Sequence, residues 1–283
     1  MIAPKTKKGQ HRQVEVAITA WIDLLGYGSM LEKGSFEPFN TETLNALKRI
    51  TLFHDEVAKK SSKIFPSMVM NDGAIVFRGL SPRSRELTFD FIYRAFKLYS
   101  HINGVERKNG YPGARMVIAT GFRIRKHSQI KQHLIDGIGS FILGKLDKSE
   151  MSKEQAIIHS LMTRANFDIF PELQANFAFA KAYIADAGGS KKGIAGPYCY
   201  LDTTILEDEL PEWIRFSGFV DWEDRGLRAK FGVIDGIIKT LAKEQKFKGA
   251  LDAFEVASRI SSDPDIVSKL KSQTYSLKNR INY

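Results

Sequence analysis

Two hydrophobic periods alternate along the first part of the chain, and that alternation limits the folds open to it. Val14–Asp23 (VEVAITAWID) sets Val14, Val16 and Ile18 at alternate positions, the period of a half-buried strand, and ends on an acid just before Gly26 and Gly28. From Thr41 to Lys60, Leu44, Leu47, Ile50, Phe53 and Val57 recur at three- and four-residue steps, so a helix is predicted there. Glu42 near its start and Lys59 and Lys60 at its end suit the helix dipole. Two apolar runs, Ile64–Met70 and Ala74–Leu80, are joined by Asn71-Asp72-Gly73, residues that tolerate the positive φ angles of a tight hairpin turn. Ser81-Pro82 restarts a helix reaching about His101, striped by Leu87, Phe91, Ala95 and Leu98. Ala114–Arg125 then reads as a long strand interrupted at Gly121. Strand, helix, hairpin, helix, strand predicts a ferredoxin-like α+β sheet, rich in antiparallel pairs, with its helices on one face.

The later residues read less regularly. Lys126–Phe167 has the pattern of a helical insertion, and Ser152-Lys153-Glu154-Gln155 is a capping box that opens a helix within it. A further helix is predicted over Glu172–Ala187, following Pro171 and stopped by Gly188-Gly189. Ile194–Asp202 and Ile214–Trp222 are strand candidates. The tail is predicted helical from about Val233, with Asp263-Pro264 restarting the last helix. This organisation suggests one domain over residues 14–225, carrying the insertion at about 126–167, and a C-terminal helical extension over 226–283.

Composition narrows the class. The 283 residues are 43% hydrophobic and 26% charged, which excludes a disordered or collagenous chain. Cys199 is the single cysteine, so no internal disulfide framework exists. No apolar run approaches the ~18 residues of a membrane span, and Met1–Gln13 lacks the apolar core of a secretion signal. The expectation is a cytoplasmic protein without a membrane span. The net charge of +10 favours polyanionic partners. Its clusters (Lys5, Lys7, Lys8 and Arg12; Arg123, Arg125, Lys126 and Lys131; Lys269, Lys271, Lys278 and Arg280) are scattered and not interleaved with aromatics. Solvated surface charge and nucleic-acid binding both fit, and no nucleic acid is required.

Two acids stand out by position. Asp23 closes the first strand before a glycine-containing turn, and Asp72 occupies the hairpin tip. Each alone is ordinary turn or strand-end chemistry. In a ferredoxin-like sheet the two elements can be neighbours, and paired carboxylates beside a glycine turn are what a phosphoryl site with Mg²⁺ or Mn²⁺ requires. The six histidines lack the spacing of a helical zinc site, no Gly-x-Ser-x-Gly occurs, and Cys199 lies in an apolar strand pattern that reads as core.

With their flanks these residues resemble the class III nucleotide cyclase catalytic domain. That family has Phe-x-Asp-Ile-x-Gly-Phe at its first strand, where this chain has Trp21-Ile22-Asp23-Leu24-Leu25-Gly26-Tyr27. The family's second metal-binding Asp stands at a hairpin tip, matched by Asn71-Asp72. Its Arg-Val-Gly-Ile-Asn-x-Gly strand is matched by Arg115-Met116-Val117-Ile118-Ala119-Thr120-Gly121. Its Asp-Ile-Trp-Gly and Asn-x-Ala-x-Arg are matched by Asp168-Ile169-Phe170-Pro171 and Asn176-Phe177-Ala178. The likeness spans Val14 to Asp202, with the motifs in order. It implies that Asp23, Asp72 and the Leu24 carbonyl ligate a pair of Mn²⁺ or Mg²⁺ ions and that Gly26, Tyr27 and Gly28 line a triphosphate. Arg115 is a further candidate phosphate contact, and Trp21 a further substrate-binding candidate. The 3′-hydroxyl would attack the α-phosphorus, and a head-to-tail homodimer would share its active sites.

Departures from the family pattern shape the substrate expectation. Purine-specific members place a Lys four residues before the hairpin Asp and a polar group on the next strand; the same offsets here give Met68 and Tyr111. Neither reproduces a Lys–carboxylate reading of an adenine edge. Counting from Asn176, Ala180 stands where the family has its transition-state Arg, and Lys181 is the nearest cation. These features, the insertion and Lys181-Ala182-Tyr183 resemble the pyrimidine cyclases of bacterial anti-phage signalling (Pycsar type). That resemblance implies UTP, or CTP, as substrate and a cyclic-nucleotide-activated effector downstream. An adenylate or guanylate cyclase, and a silent cyclase-like domain binding nucleotide or nucleic acid, are the alternatives.

Overall fold

A computed structural model describes residues 13–125, 140–166 and 173–281. The larger compact unit holds Glu15–Arg123 and the chain from Asn176 onward, and a second holds the described residues before Glu15 and between Ile124 and Ala175, so the outer ends of β1 and β4 are counted with the second. The larger unit is a mixed α+β structure. It contains β1 (Gln13–Leu24), α1 (Tyr27–Lys33), α2 (Thr41–Lys60), β2 (Ser67–Met70), β3 (Gly73–Gly79), α3 (Arg85–Lys108) and β4 (Ala114–Arg125). In the second unit, residues 140–147 form a short helical segment, followed by α4 (Lys153–Asn166). The larger unit resumes with α5 (Phe177–Gly188), β5 (Cys199–Asp202), β6 (Ile214–Asp224), β7 (Leu227–Ile237), α6 (Lys239–Glu244), α7 (Ala253–Ile260) and α8 (Ile266–Ile281).

One seven-stranded sheet runs in the order β2-β3-β1-β4-β5-β7-β6. Its first four strands have the ferredoxin-like order expected from the sequence. β1 with β3, β2 with β3, β5 with β7 and β6 with β7 run antiparallel, while β4 and β5 run parallel. Within β1 both alternating sets are buried: Val16, Ile18, Ala20, Ile22 and Leu24 on one face, Ala17, Thr19 and Trp21 on the other. A strand covered on both faces needs two layers above it. Phe179 and Tyr183 of α5 meet the Trp21 ring, and a Cβ at Gly121 of β4 would stand 2.7 Å from the Ala178 main-chain nitrogen. Gly121 is therefore the seat of a helix on the Trp21 face. The expectation of helices on a single face is corrected.

Other boundaries also moved. The helix expected over Glu172–Ala187 begins at Phe177, because the Asn176 side chain accepts from Phe179 N–H and caps it there. Pro171, Glu172 and the Asp168–Phe170 motif lie outside the described residues. The tail read as helical from about Val233 is helical only from Lys239; Val233–Ile237 completes β7, which pairs with β6 over its length. Residue 226 thus falls in a hairpin turn, not at a domain boundary: Arg225 and Gly226 both have positive φ, the requirement of a two-residue turn. On α2 the buried face carries Ala46, Arg49, Phe53 and Val57, whereas Leu44 and Leu47 are exposed. The Ser152 capping box forms as expected, with Ser152 and Gln155 each bonding the other's main-chain N–H. Cys199 is fully buried, and burial pushes its thiol up, in keeping with a core residue.

Candidate metal and nucleotide site

β1 and the β2–β3 hairpin bring the two sequence-predicted acids to one end of the sheet. Asp23 lies opposite Gly73 in the β1–β3 ladder, and the next residue, Leu24, donates its N–H to the Asp72 carbonyl at 3.0 Å. The hairpin turn is Asn71-Asp72, with Asn71 at φ 53°. Asn71 Nδ2 donates to Asp72 Oδ1 at 2.9 Å, and His54 Nε2 on α2 donates to the Asn71 carbonyl at 2.7 Å. A long helix thus props the tip that carries Asp72. Gly73 has an ordinary negative φ; its lack of a side chain is required because a Cβ there would lie 2.4 Å from Cζ2 and Cη2 of Trp21.

Acidity accumulates at this end. Asp23 is pushed up to about 8, chiefly by burial and then by the negative charges of Asp186 and Asp72, with Arg115 and Arg49 opposing. Burial and Asp72 also push the Tyr27 hydroxyl up. The part of this shift that comes from Asp186 and Asp72 is a negative potential, in which a positive charge is favoured. The donors present, two carboxylates and the main-chain carbonyl of Leu24, are hard oxygens of the kind Mg²⁺ and Mn²⁺ select. Among the described residues no group of three or more His, Cys, Asp or Glu converges into a cage of its own. Asp23, Asp72 and the Leu24 carbonyl would by themselves fill only part of the coordination sphere of a divalent ion.

The β1–α1 turn adjoins the acids. Leu25 N–H bonds the Gly113 carbonyl at 2.9 Å, and Gly26, at φ 73°, faces Pro112. Tyr27 is the buried first residue of α1, and Gly28 is exposed beside it. Met68 pairs with Ile75, which pairs with Trp21, so Met68 shares the Trp21 face two strands away.

Several expected site residues are placed otherwise. Trp21 is only 5% exposed, packed beneath Phe179 and Tyr183 with its Nε1 donating to Asp186 at 3.2 Å, so it offers little surface to a substrate. Tyr111 is in the loop before β4, not on a strand, and its ring lies 4.7 Å from the Arg49 guanidinium. Arg115 commits its donors within the protein: Nε to Asp186 Oδ1 at 2.6 Å, one terminal nitrogen to the Asp186 carbonyl and the other to the Ile194 carbonyl. Lys181 is buried with Nζ 2.9 Å from Oδ2 of Asp202, which is fully buried and also accepts from Thr120 N–H. Thr120 Oγ1 in turn bonds the Ala17 carbonyl. Six residues of β1 separate Ala17 from Asp23, about 20 Å at strand rise, so Lys181 does not reach Asp23 of its own chain. Asn176 stands farther along, bridged to Arg123, and serves as the α5 cap. Arg123, counted among surface cations, is buried in an ion pair with Glu15.

Sequence reasoning missed Asp186 and Arg49. Asp186 carries no motif. Arg49 had a signal in principle, a cation in register with Phe53 and Val57 on α2, but the more apolar stripe through Leu44 and Leu47 masked it.

No family model matches the sequence, and a search of curated proteins returns no match. Among solved structures, the guanylyl cyclase Cya2 aligns with a TM-score of 0.49 and 12% identity, covering 81% of this chain and 95% of that one. A bacterial light-regulated adenylyl cyclase aligns at 0.44 and 11%, covering 83% and 97%. The catalytic core of a rhodopsin-guanylyl cyclase with converted specificity, in complex with ATPαS, aligns at 0.39 and 7%, covering 80% and 98%. Among the described residues no helix is long and apolar enough to cross a membrane.

Proposed function

We propose that this protein is a metal-dependent nucleotide cyclase that converts a pyrimidine nucleoside triphosphate, UTP in preference to CTP, into a 3′,5′-cyclic nucleotide and pyrophosphate. The observation that carries this reading is the meeting of Asp23 with the Asp72 hairpin tip, through the Asp23–Gly73 pair and the Leu24-to-Asp72 hydrogen bond. The upward shift of Asp23, set first by burial and then by the Asp186 and Asp72 charges, is compatible with it, since a bound cation would offset both and favour the ionised carboxylate. Asp23, Asp72 and the Leu24 carbonyl would hold a pair of Mn²⁺ or Mg²⁺ ions, whose charge favours the 3′-alkoxide and the departing pyrophosphate. The main chain of Gly26, Tyr27 and Gly28 would line the triphosphate beside them, the Tyr27 side chain being buried.

Met68 supports the pyrimidine preference, because a thioether makes no strong hydrogen bond to an adenine edge. Asn176 and Lys181 would serve only from a second subunit, in a homodimer with shared sites, as their distance from Asp23 within one chain requires. Lys181 would first have to leave Asp202. The cyclic product would act on a downstream effector in anti-phage signalling. In this reading residues 14–225 do not suffice as the catalytic domain, because β7 belongs to the same sheet.

The test is to incubate the protein with each of the four ribonucleoside triphosphates and Mn²⁺ and to identify products by mass spectrometry. Cyclic UMP or cyclic CMP is expected. Cyclic AMP or GMP would move the assignment to a purine cyclase, and no turnover together with salt-sensitive nucleic-acid binding would replace it with a binding domain.

A further inference from the structure

Beneath the turn that follows Asp23 lies a buried cation to which no role has yet been given. Arg49 projects from α2 and is 2% exposed. Its Nε donates to Glu106 on α3 at 3.1 and 3.3 Å, and a terminal nitrogen donates to Glu106 Oε2 at 2.5 Å. The same nitrogen reaches the Leu25 carbonyl at 2.9 Å and the Gly113 carbonyl at 3.5 Å. The other contacts Met30 Sδ on α1 at 3.7 Å, and the Tyr111 ring covers the guanidinium. One planar group thus touches α1, α3, the β1–α1 turn and the loop before β4. A buried ion pair is weak evidence for stability, since an apolar pair of similar volume often serves as well. What an apolar pair does not supply is a cationic nitrogen donor shared by two main-chain carbonyls.

We propose that Arg49 is a positioning residue for the Asp23–Asp72 site: anchored by Glu106, it holds the Leu25 and Gly113 carbonyls and so fixes the turn that presents Asp23 and the Leu24 carbonyl. This rests on the cyclase reading above. Leu25 N–H also bonds the Gly113 carbonyl, so the same two residues are joined directly and held together from below by Arg49. It also assigns Glu106 a task, keeping the guanidinium in the plane that reaches both carbonyls.

The test compares wild type with Arg49→Lys and with the double exchange Arg49→Met, Glu106→Leu, which removes both charges and keeps the volume. Three quantities are read: thermal stability, amide exchange of Leu25 in the metal-free protein, and Mn²⁺ affinity by electron paramagnetic resonance beside kcat and nucleotide KM. The double variant is expected to melt near wild type. In both variants the Leu25 amide should exchange at least about tenfold faster. Mn²⁺ affinity and kcat should fall by at least about tenfold, with nucleotide KM at saturating Mn²⁺ little changed. Folded variants with wild-type Leu25 exchange and wild-type Mn²⁺ affinity overturn the positioning role while leaving the cyclase reading intact. A wild-type protein that neither binds Mn²⁺ nor turns over any nucleotide overturns both.

Discussion

Trp21 occupies the space that a side chain at Gly73 would need: a Cβ there would lie 2.4 Å from two atoms of the indole ring. The ring cannot swing away, because Asp186 holds Nε1 and Phe179 and Tyr183 pack against it. Since Gly73 has no positive φ, the restriction is steric. Gly73→Ala is expected to cost about 1–3 kcal/mol in urea unfolding and to disturb the Asp72 tip. Gly104→Ala on α3, where nothing lies within 4 Å of the new methyl, should stabilise by roughly 0.5–1 kcal/mol. Equal effects at the two positions would contradict the packing account.

The raised Asp23 carboxyl makes stability depend on pH in a definite direction. The folded protein keeps the proton up to about pH 8, whereas the unfolded chain releases it near the ordinary aspartate value of 3.8. The contribution of this group is therefore fully present below the lower value and is lost as pH rises through about 8. A shift of several units corresponds to a few kcal/mol, on the order of 1.4 per unit. Stability of wild type relative to Asp23→Asn should fall between pH 5 and 9 without divalent metal, and Mn²⁺ should restore it in wild type alone. A pH-independent gap would disprove the shift.

Asp186 binds Trp21 and Arg115 at once, and its negative charge helps push the Asp23 carboxyl up. Breaking this partly buried ion pair on one side leaves the partner unpaired. Arg115→Ala is expected to cost roughly 3–5 kcal/mol in denaturant unfolding. Asp186→Asn should also lower the Asp23 titration midpoint, measured by carboxyl NMR, because it removes one of the negative charges that raise it. An unchanged midpoint would show that the Asp186 charge does not act on Asp23.

Asn176 and Lys181 provide a test of shared sites. Asn176→Ala should cost about 1 kcal/mol for the lost cap and abolish turnover, as should Asp23→Ala. Mixing the two inactive proteins should restore up to about a quarter of wild-type turnover, the statistical share of intact sites in random two-fold dimers. No recovery after subunit exchange would argue against a contribution from the second chain.

The central four strands were legible because each carries its period locally: Val14, Val16 and Ile18 for β1, and Asn71-Asp72-Gly73 for the hairpin. That order sufficed to place Asp23 beside Asp72. Contacts set by long-range packing left no local trace. The burial of Trp21 depends on α5, more than 150 residues away in the chain; Asp186, which bonds its Nε1, is 165 residues along. Lys181 reads as a free cation until Asp202 is placed opposite it by the β4–β5 pairing. β7 was misread because Val233, Ile234 and Ile237 also fit a helical stripe, and only pairing with β6 decides between the two periods.

The account stands on two carboxylates acting as one metal site. Mn²⁺ binding by electron paramagnetic resonance, together with pyrophosphate release from UTP, should be measured on wild type, Asp23→Asn and Asp72→Asn. Bound Mn²⁺ and turnover in wild type, and loss of both in each folded variant, is the predicted result. Turnover that survives either substitution at a wild-type rate would contradict the account.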